Sequence, residues 1–367
     1  MQPEDAQRPT LPTRVRPIVS IGAGSIVRDA HLPAYRIAGF PVVAVHDLLP
    51  SRAEALARDF GIPRVCDSLD AAVAAAPADA VFDVAVPAGA ICGVLELLPE
   101  GAAVLIQKPM GEDLAEAVRI RALCRSRRLL AAVNFQLRFA PCVLGARELL
   151  RRGVIGELHD VEVRVTCHMP WEQWGFLFGI PRMEIVYHSI HYVDLVRSFL
   201  GEPQGVYCKT VKHPLQPRLA STRTAIAFDY GEMVRATVTT NHGHDFGPLH
   251  QESYLKLEGT KGAIKARLGV NLDYPRGLPD ALSWATRANP GGGDEGGGGG
   301  GWRDIPLVGS WFPHAFVGTM ASLMRRANQE TDLLPTGVED AFETMAVVEA
   351  CYASSARGAT PIPTGTP

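Results

Sequence analysis

The sequence predicts an α/β protein with a doubly wound parallel sheet first and an α+β unit with an open, mainly antiparallel sheet second. Between residues 18 and 135, short runs that are apolar at every position alternate with helical segments, as in strands buried on both faces. From about residue 136, strands with alternating apolar and polar residues follow one another, as in a sheet with one covered face. The length of 367 residues fits two such domains.

The first domain is predicted over residues 18–135, after a polar tail, residues 1–17, that we expect to be flexible. Ser51 with Glu54 forms a capping box that is expected to start a helix, and Asp113 repeats this arrangement with Glu116. The predicted strands of this domain are 18–21, 42–45, 81–86, 103–106 and 129–133.

The second domain is predicted over residues 136–367, for substrate binding and oligomerisation, with a glycine-rich insertion at 290–301. Its alternating pattern leaves one sheet face without a covering helical layer, so we expect a homodimer or homotetramer formed through that open face. The predicted strands are 160–167, 205–211, 222–229, 234–240, 254–258 and 263–267.

Composition excludes two classes of partner. The chain carries 36 Lys and Arg residues against 39 Asp and Glu, a formal net charge of -3, so we expect neither a nucleic acid nor a membrane as partner. Its seven cysteines form no C-x-x-C pair, and the N-terminal residues lack the apolar run of a signal peptide. We therefore expect a reduced, cytoplasmic protein.

A glycine turn follows the first strand and precedes a helical stretch. Gly22 allows a tight turn, Gly24 lets the backbone approach a pyrophosphate, and Val27 replaces the third glycine of the full motif. Asp47 ends the second strand, where a carboxylate binds the ribose hydroxyls of NAD and repels the 2′-phosphate of NADP, although Arg52 lies close by. We favour a Rossmann dinucleotide site; the alternative is an ordinary strand–helix turn.

The segment 183–194 is predicted to be helical, with Glu184, His188 and His191 on one stripe and Tyr187 beside it. Three interpretations are open: a polar surface, a metal site, or a general acid/base site. No further ligand cluster supports a metal, and we expect none. Histidine titrates near neutral pH, so we favour proton exchange with an alcohol.

The turn Gln107-Lys108-Pro109 ends another strand, at the sheet edge where ligands bind in such folds. From position alone, Lys108 is either an exposed edge residue or an electrostatic group aimed at the reacting centre.

Together these segments resemble the glucose-fructose oxidoreductase / inositol dehydrogenase / MocA (Gfo/Idh/MocA) family of NAD(P)-dependent dehydrogenases. The motifs that carry the resemblance are the glycine turn with His31-Leu32-Pro33, Asp47, Pro87, Lys108-Pro109, 134–139, Gly153 to Glu157, His191 to Asp194, Leu200 to Pro203 and Ala350 to Ser355. The resemblance implies that His191 takes the hydroxyl proton and that Lys108 hydrogen-bonds the reacting oxygen. It implies cofactor contacts at Gly22, Gly24, Ser25, Ile26, Asp47, Arg52, Val86, Pro87, Gln107 and Lys108.

Two positions depart from the family pattern. Gln107 stands for the glutamate of E-K-P, and Tyr187 stands where the family places an aspartate before the catalytic histidine. A phenol is not ionised at neutral pH. We therefore hypothesise that Glu184 supplies the missing negative charge or a substrate contact.

Aromatic and polar residues after two strands suit a sugar or cyclitol, since Trp171 and Trp174 offer faces for stacking. Substrate contacts are also expected from Lys108, His188 and His191, and from Arg138. The alternatives are a tryptophan pair packed in the core or at a subunit contact, and a structural ion pair at Arg138. The expected function is NAD-dependent oxidation of a secondary hydroxyl of a sugar, sugar derivative or cyclitol. Related possibilities are an NAD-dependent glycosidase that uses transient oxidation and a catalytically silent cofactor- or sugar-sensing regulator.

Overall fold

The first sheet of the computed structural model is parallel throughout; the structure describes residues 5–274, 276–287 and 301–362. Its strands are β1 Ile18–Ile21, β2 Val42–His46, β3 Val81–Val84, β4 Ala103–Ile106 and β5 Leu130–Val133. They lie in the order β2-β1-β3-β4-β5. The predicted doubly wound sheet is confirmed, with strand ends within about two residues of the predicted runs.

The strand order creates a crevice at the carboxyl edge of this sheet. β1, β3 and β4 are buried at every residue, which explains their uninterrupted apolar runs. β1 pairs with β2 on one side and with β3 on the other, so the direction in which successive strands are added to the sheet reverses at β1. Ligands of doubly wound sheets bind at such a switch point.

The α-helices of the described residues begin in two different ways. They are α1 Leu32–Ala38, α2 Pro50–Phe60, α3 Leu69–Ala74, α4 Ile91–Leu97, α5 Leu114–Ser126, α6 Pro141–Arg151, α7 Ile190–Leu200, α8 Ala315–Ala327 and α9 Val338–Arg357. At α5 the predicted cap forms, because the carboxylate of Asp113 accepts a 2.8 Å bond from the Glu116 amide. At α2 the prediction is wrong: the helix begins at Pro50, without a side-chain cap, and Ser51 lies inside the first turn. Proline suits that position because it has no N–H to satisfy.

The second sheet is mixed and mainly antiparallel, as predicted. Its strands are β6 Leu158–Thr166, β7 Gly205–Val211, β8 Arg223–Asp229, β9 Arg235–Asn241, β10 Glu252–Gly259, β11 Gly262–Arg267, β12 Ala281–Thr286 and β13 Arg303–Ile305. The order is β13-β12-β11-β10-β6-β9-β8-β7, and β6 runs parallel to β9. The sequence did not predict β12 and β13.

The two faces of the second sheet differ. Val161, Val163 and Val165 of β6 are fully buried on the face that packs against α6, α7 and α9. The opposite face carries polar cross-strand pairs, such as Arg164 Nε with Glu252 Oε2 at 2.7 Å. The alternation of apolar and polar residues along these strands therefore indicates a sheet with one covered and one polar face.

The described part of the N-terminal tail is packed against the body, so the expectation of a flexible tail is corrected for residues 5–17. Gln7 is buried, and its amide oxygen accepts a 2.9 Å bond from the Val308 N–H. Further along, Arg16 Nη2 donates to the Ala327 carbonyl at 2.7 Å. Polar tail residues are held here by main-chain atoms that need partners.

The C-terminal part of the chain returns to the first sheet, where α8 packs against α1, β4 and β5. The predicted insertion at 290–301 lies outside the described residues, apart from Gly301. Within the described ranges, no helix combines the length and apolar character needed to cross a bilayer.

Candidate active site

The glycine turn after β1 leaves room for a ligand only on its outer side. Gly22 has φ +106°, and a Cβ atom there would lie 2.3 Å from the Ala85 carbonyl oxygen. At Gly24 a Cβ would meet nothing within 4 Å. Ser25 and Ile26 then begin a helical turn that continues into α1. Free N–H groups at a helix start suit a pyrophosphate.

Asp47 follows β2 and braces this turn. Its Oδ2 accepts a 2.7 Å bond from the Ala23 amide, and its Oδ1 accepts a 2.8 Å bond from the Leu49 amide. Each oxygen retains lone pairs for ribose hydroxyls. Arg52 is exposed in the first turn of α2. These residues fit an NAD molecule at the carboxyl edge of the sheet.

The ends of β3 and β4 continue the crevice. Val86 is half-buried and Pro87 is exposed. The Gln107 amide N–H donates to the Val84 carbonyl at 2.8 Å, and its side-chain Oε1 is buried without a partner among the described residues. An unpartnered acceptor in this position is consistent with a polar ligand in the crevice.

Lys108 follows directly and is joined to Pro109 by a cis peptide bond. Its Nζ donates a 2.6 Å hydrogen bond to the main-chain oxygen of Tyr187. Burial lowers the pKa of Lys108 to about 8. The ammonium group therefore remains mostly protonated at neutral pH, with two further N–H donors beyond the bond to Tyr187.

His191 lies in the first turn of α7 and is buried. Burial, followed by the nearby positive charge of Lys108, lowers the pKa of His191 well below its ordinary value. The imidazole is therefore neutral at pH 7, as a general base must be. Its ring meets the Trp311 ring edge-on, with centroids 5.7 Å apart.

The residues before α7 form a π-helical turn, Glu184–Ser189, in which hydrogen bonds span five residues. The prediction of a single stripe assumed 100° per residue and is wrong across this turn. Glu184 is 0% exposed and accepts bonds from Ser189 Oγ at 2.6 Å and Thr240 Oγ1 at 2.8 Å. The carboxylate of Glu184 is therefore held by hydroxyl groups of the protein.

The negative charge of Glu184 is retained and borders a histidine. Burial alone would raise the pKa of this carboxyl, but the His242 ring and the surrounding hydroxyls outweigh it and hold the pKa below its usual value. His242 Nδ1 lies 3.3 Å from Glu184 Oε1. Among the residues that the structure describes, no three His, Cys, Asp or Glu side chains come together as metal ligands.

Tyr187 was also predicted as a catalytic residue from its place beside His188 and His191, and the structure shows it in contact with Lys108 through its main chain. Its ring packs against Phe176, with centroids 5.7 Å apart. Burial, followed by the charges of Glu112 and Glu116, raises the pKa of the phenol to about 12. The carbonyl oxygen, by contrast, holds Lys108.

His188 stands between the two polar loops of the second sheet. Its ring lies 5.1 Å from the centroids of both Trp171 and His242. Burial, then the charges of His242, Lys108 and His191, lower the pKa of His188 well below its ordinary value. Trp171 is only 2% exposed, so it supports these rings and offers no stacking face, contrary to the prediction. Trp174 is half-buried.

Arg138 is a structural residue, and the prediction of a substrate contact is wrong. Its Nε donates to Asp194 Oδ2 at 2.7 Å, its Nη2 donates to Asp340 Oδ2 at 2.6 Å, and its Nη1 donates to the Pro335 carbonyl at 2.7 Å. The guanidinium is buried, and hydrogen-bond acceptors surround it on several sides. The alternative of a structural ion pair is the one observed.

Sequence reasoning missed Trp311. Its amide donates to Asp280 Oδ2 at 2.6 Å, which fixes the backbone beside His191. The indole Nε1 is buried without a partner among the described residues. Trp311 follows the glycine-rich stretch, far along the chain from α7, and no periodic pattern links the two.

Two family models cover most of the chain. Residues 17–135 match the NAD-binding Rossmann fold of an oxidoreductase family, and residues 147–364 match its C-terminal alpha/beta domain. The chain belongs to the Gfo/Idh/MocA oxidoreductase family. The resemblance inferred from the motifs is confirmed, and this Gfo/Idh/MocA protein is an NAD-binding oxidoreductase.

Curated relatives of this Gfo/Idh/MocA protein include dehydrogenases of sugars and an inositol. D-apiose dehydrogenase of Rhizobium rhizogenes is 24% identical over 88% of this chain and 90% of its own length. Inositol 2-dehydrogenase of Acidothermus cellulolyticus is 34% identical over 48% of this chain and 51% of its own length. D-glucoside 3-dehydrogenase of Escherichia coli is 29% identical over 51% and 54% of the two chains.

Among solved structures, the fold matches an oxidoreductase from Agrobacterium radiobacter in complex with NAD+, L-tartaric acid and magnesium. The TM-score is 0.76 at 20% identity, over 94% of this chain and 98% of the other. A levoglucosan dehydrogenase in complex with NADH and levoglucosan matches with a TM-score of 0.72 at 16% identity, over 94% and 98% of the two chains. At these identities the likeness concerns the fold.

Proposed function

We propose that this protein oxidises a secondary hydroxyl of a sugar, sugar derivative or cyclitol, with NAD as hydride acceptor. The observation that carries the proposal is the meeting of Lys108 with His191. The Lys108 ammonium is bound to a carbonyl one turn before His191, and its charge helps to keep that imidazole neutral. The relatives named for D-apiose, inositol and D-glucosides support a polyol as substrate.

In the proposed reaction His191 removes the hydroxyl proton of the substrate, since burial keeps its ring in the basic form. Lys108 donates a hydrogen bond to the same oxygen and stabilises the partial negative charge that develops there. Bound NAD supplies the acceptor for the hydride of the carbinol carbon. The Tyr187 carbonyl orients Lys108 through the 2.6 Å bond and leaves two N–H groups for the substrate.

Cofactor binding is assigned to the backbone of Gly22 to Ile26 and to the carboxylate of Asp47. This carboxylate favours NAD over NADP, because a 2′-phosphate would meet its negative charge. Val86, Pro87 and Gln107 border the same crevice at the strand ends.

Glu184 is proposed as a positioning residue. Its carboxylate lies 3.3 Å from His242, and the His242 ring lies 5.1 Å from His188. The negative charge of Glu184 would replace that of the family aspartate at position 187. It would act on the site only through the rings of His242 and His188. Trp311, next to His191 with an unpartnered indole N–H, is proposed to donate to a substrate hydroxyl.

The experiment that tests the function is a screen of aldoses, glycosides and inositols with saturating NAD, followed by NADH absorbance. We expect NADH formation with at least one polyol and its loss in His191→Ala. His159→Ala is the matched control, because that histidine lies at the opposite end of β6 from the site. Equal rates for His191→Ala and the parent would overturn the mechanism.

The same screen separates the dehydrogenase from the other two classes, which yield no net NADH, and an assay of sugar release then distinguishes those two. A glycosidase of this type would release sugar from a glycoside without net NADH, and a regulator would bind NAD without turnover.

We further propose self-association through the open sheet face, where Tyr207 is 70% exposed. Light scattering should show a dimer or tetramer, and Tyr207→Asp should shift it toward the monomer; a monomeric parent would refute this.

A further inference from the structure

A second concavity lies on the substrate side of the molecule, beyond Trp171. It has a volume of about 270 Å³, near the lower end for small-ligand pockets. Its polar and aromatic lining comes from the segments after β6, after β9 and after β11: His168, His244, Asp245, Gln251, Asp273 and Tyr274. None of these residues is used by the chemistry described above.

The sheet explains why the first two segments meet. β6 and β9 are parallel, with Thr166 beside Asn241, so the loops that follow them leave the sheet at the same edge. The His244 amide donates to the Cys167 carbonyl at 3.1 Å. His168 Nδ1 lies 2.7 Å from Asp245 Oδ1. The two loops therefore form one continuous wall.

A row of aromatic rings connects this wall to the reacting groups. Tyr274 lies 5.8 Å from Trp174, Trp174 lies 6.5 Å from Trp171, and Trp171 lies 5.1 Å from His188, all measured between ring centroids. His188 in turn neighbours the positive charge of Lys108. Packed rings thus connect the wall of the concavity to the residues beside the reaction site.

The lining selects by charge. Among the described residues it contains two carboxylates, Asp245 and Asp273, and neither lysine nor arginine. Arg276 contacts Asp273 at 2.5 Å but is itself largely exposed. A phosphate or nucleotide diphosphate would meet negative charge here, whereas hydroxyl groups would find acceptors.

The remaining groups suit a sugar ring. Gln251 Oε1 accepts a 2.7 Å bond from the Asp273 amide, and within the described ranges the Gln251 NH₂ group has no partner, so it can donate to a ligand. Tyr274 is half-buried and offers an aromatic surface for the C–H face of a pyranose.

We propose that this concavity binds the second ring of an uncharged glycoside whose first ring is oxidised at Lys108 and His191. This inference rests on the proposed polyol oxidation and narrows its substrate class to glycosides. The distal ring hydrogen-bonds to Asp245, Asp273 and Gln251 and packs on Tyr274.

The kinetic test compares single-ring polyols with their glycosides: D-glucose with cellobiose and maltose, D-galactose with melibiose and lactose, and myo-inositol with galactinol. For the best pair, kcat/KM should be at least ~10-fold higher for the glycoside, about 1.4 kcal/mol. Asp245→Ala and Tyr274→Ala should each reduce that ratio about tenfold. Asp332→Ala, an exposed carboxylate elsewhere, should retain it. A ratio at or below one in the parent, or ratios unchanged in both pocket variants, would overturn the proposal.

A binding measurement separates this inference from the proposed function. Calorimetry with cellobiose, maltose, melibiose, lactose and galactinol should detect binding to the parent that Asp245→Ala weakens, with thermal melting as a check on folding. If no polyol yields NADH but such binding occurs, the glycoside site stands and the oxidation fails. If polyols are oxidised but no glycoside binds better than its single ring, only the glycoside site fails.

Discussion

The cofactor edge and the substrate edge of the crevice are built by different means. At the cofactor edge, residues 22–47 are close in sequence, and the proposed NAD contacts come mainly from the backbone around Gly22 and Gly24. At the substrate edge, side chains arrive from distant segments: Lys108 after β4, His191 on α7 and Trp311 beyond the second sheet. Backbone sites depend on strand ends and turns, whereas side-chain sites depend on helix register.

This difference predicts opposite signatures in variants. Changes at the cofactor edge should alter NAD affinity and folding stability. Changes at the substrate edge should alter turnover while NAD still binds.

The largest effect is expected at the substrate edge. His191→Ala should lower kcat about 10³-fold, because the proposed base for the hydroxyl proton is removed. The NAD dissociation constant, from quenching of tryptophan fluorescence, should stay within about twofold of the parent. If NAD affinity falls as far as kcat, the separation of the two edges is wrong.

At the cofactor edge, Gly22→Ala should weaken NAD binding about 100-fold and destabilise the fold by about 2 kcal/mol, because of its positive φ and the clash with Ala85. Gly24→Ala is the matched control for stability, since its Cβ meets only open space. It should weaken NAD binding with an unchanged melting temperature. Equal melting temperatures for both variants would contradict the geometry of the turn.

The pH profile tests the charge on Lys108. Its pKa is lowered to about 8, so the ammonium is lost as the pH rises through that value. We expect kcat/KM for oxidation to fall about tenfold per unit above pH 8. In Lys108→Arg, whose guanidinium stays protonated, the remaining activity should be flat to about pH 10. A falling limb at the same pH in both proteins would assign it to another group.

Glu184→Gln should have a smaller effect, about a fivefold loss of kcat with little change in KM, because its charge acts through His242 and His188. Glu148→Gln, which removes a charge paired with Arg151 on α6, is the control. A rise in KM alone would instead indicate a substrate contact.

The smallest effect is expected from Tyr187→Phe, at under about twofold in kcat/KM. The phenol faces Phe176, and the bond to Lys108 uses the main-chain oxygen, which the substitution keeps. A loss of tenfold or more in kcat/KM would indicate that the Tyr187 hydroxyl takes part in the reaction.

The first sheet was predictable because its strands are buried on both faces, and their uninterrupted apolar runs identify them in the sequence. β12 and β13 escaped prediction since Ala281–Thr286 has a weak pattern and Arg303–Ile305 is short and charged. Strand ends also indicated where Lys108 and the glycine turn would lie.

Side-chain direction was harder to predict. The sequence placed Glu184 beside His191, but a π-helical turn rotates it into the sheet toward Thr240. Such a turn has no simple periodic signature. Trp311 carried no local signal either, because tertiary packing alone brings it to α7.

The parallel pairing of β6 with β9 has a consequence for protein engineering. One parallel pair in a mainly antiparallel sheet delivers two adjacent loops to the same edge, while the strand register beneath them stays fixed. The loop positions after Thr166 and Asn241 that line the concavity can therefore be varied in libraries, provided that the buried Trp171 and His242 are kept. Under the proposed glycoside binding, transplanting both loops together should change the preference for the distal sugar ring.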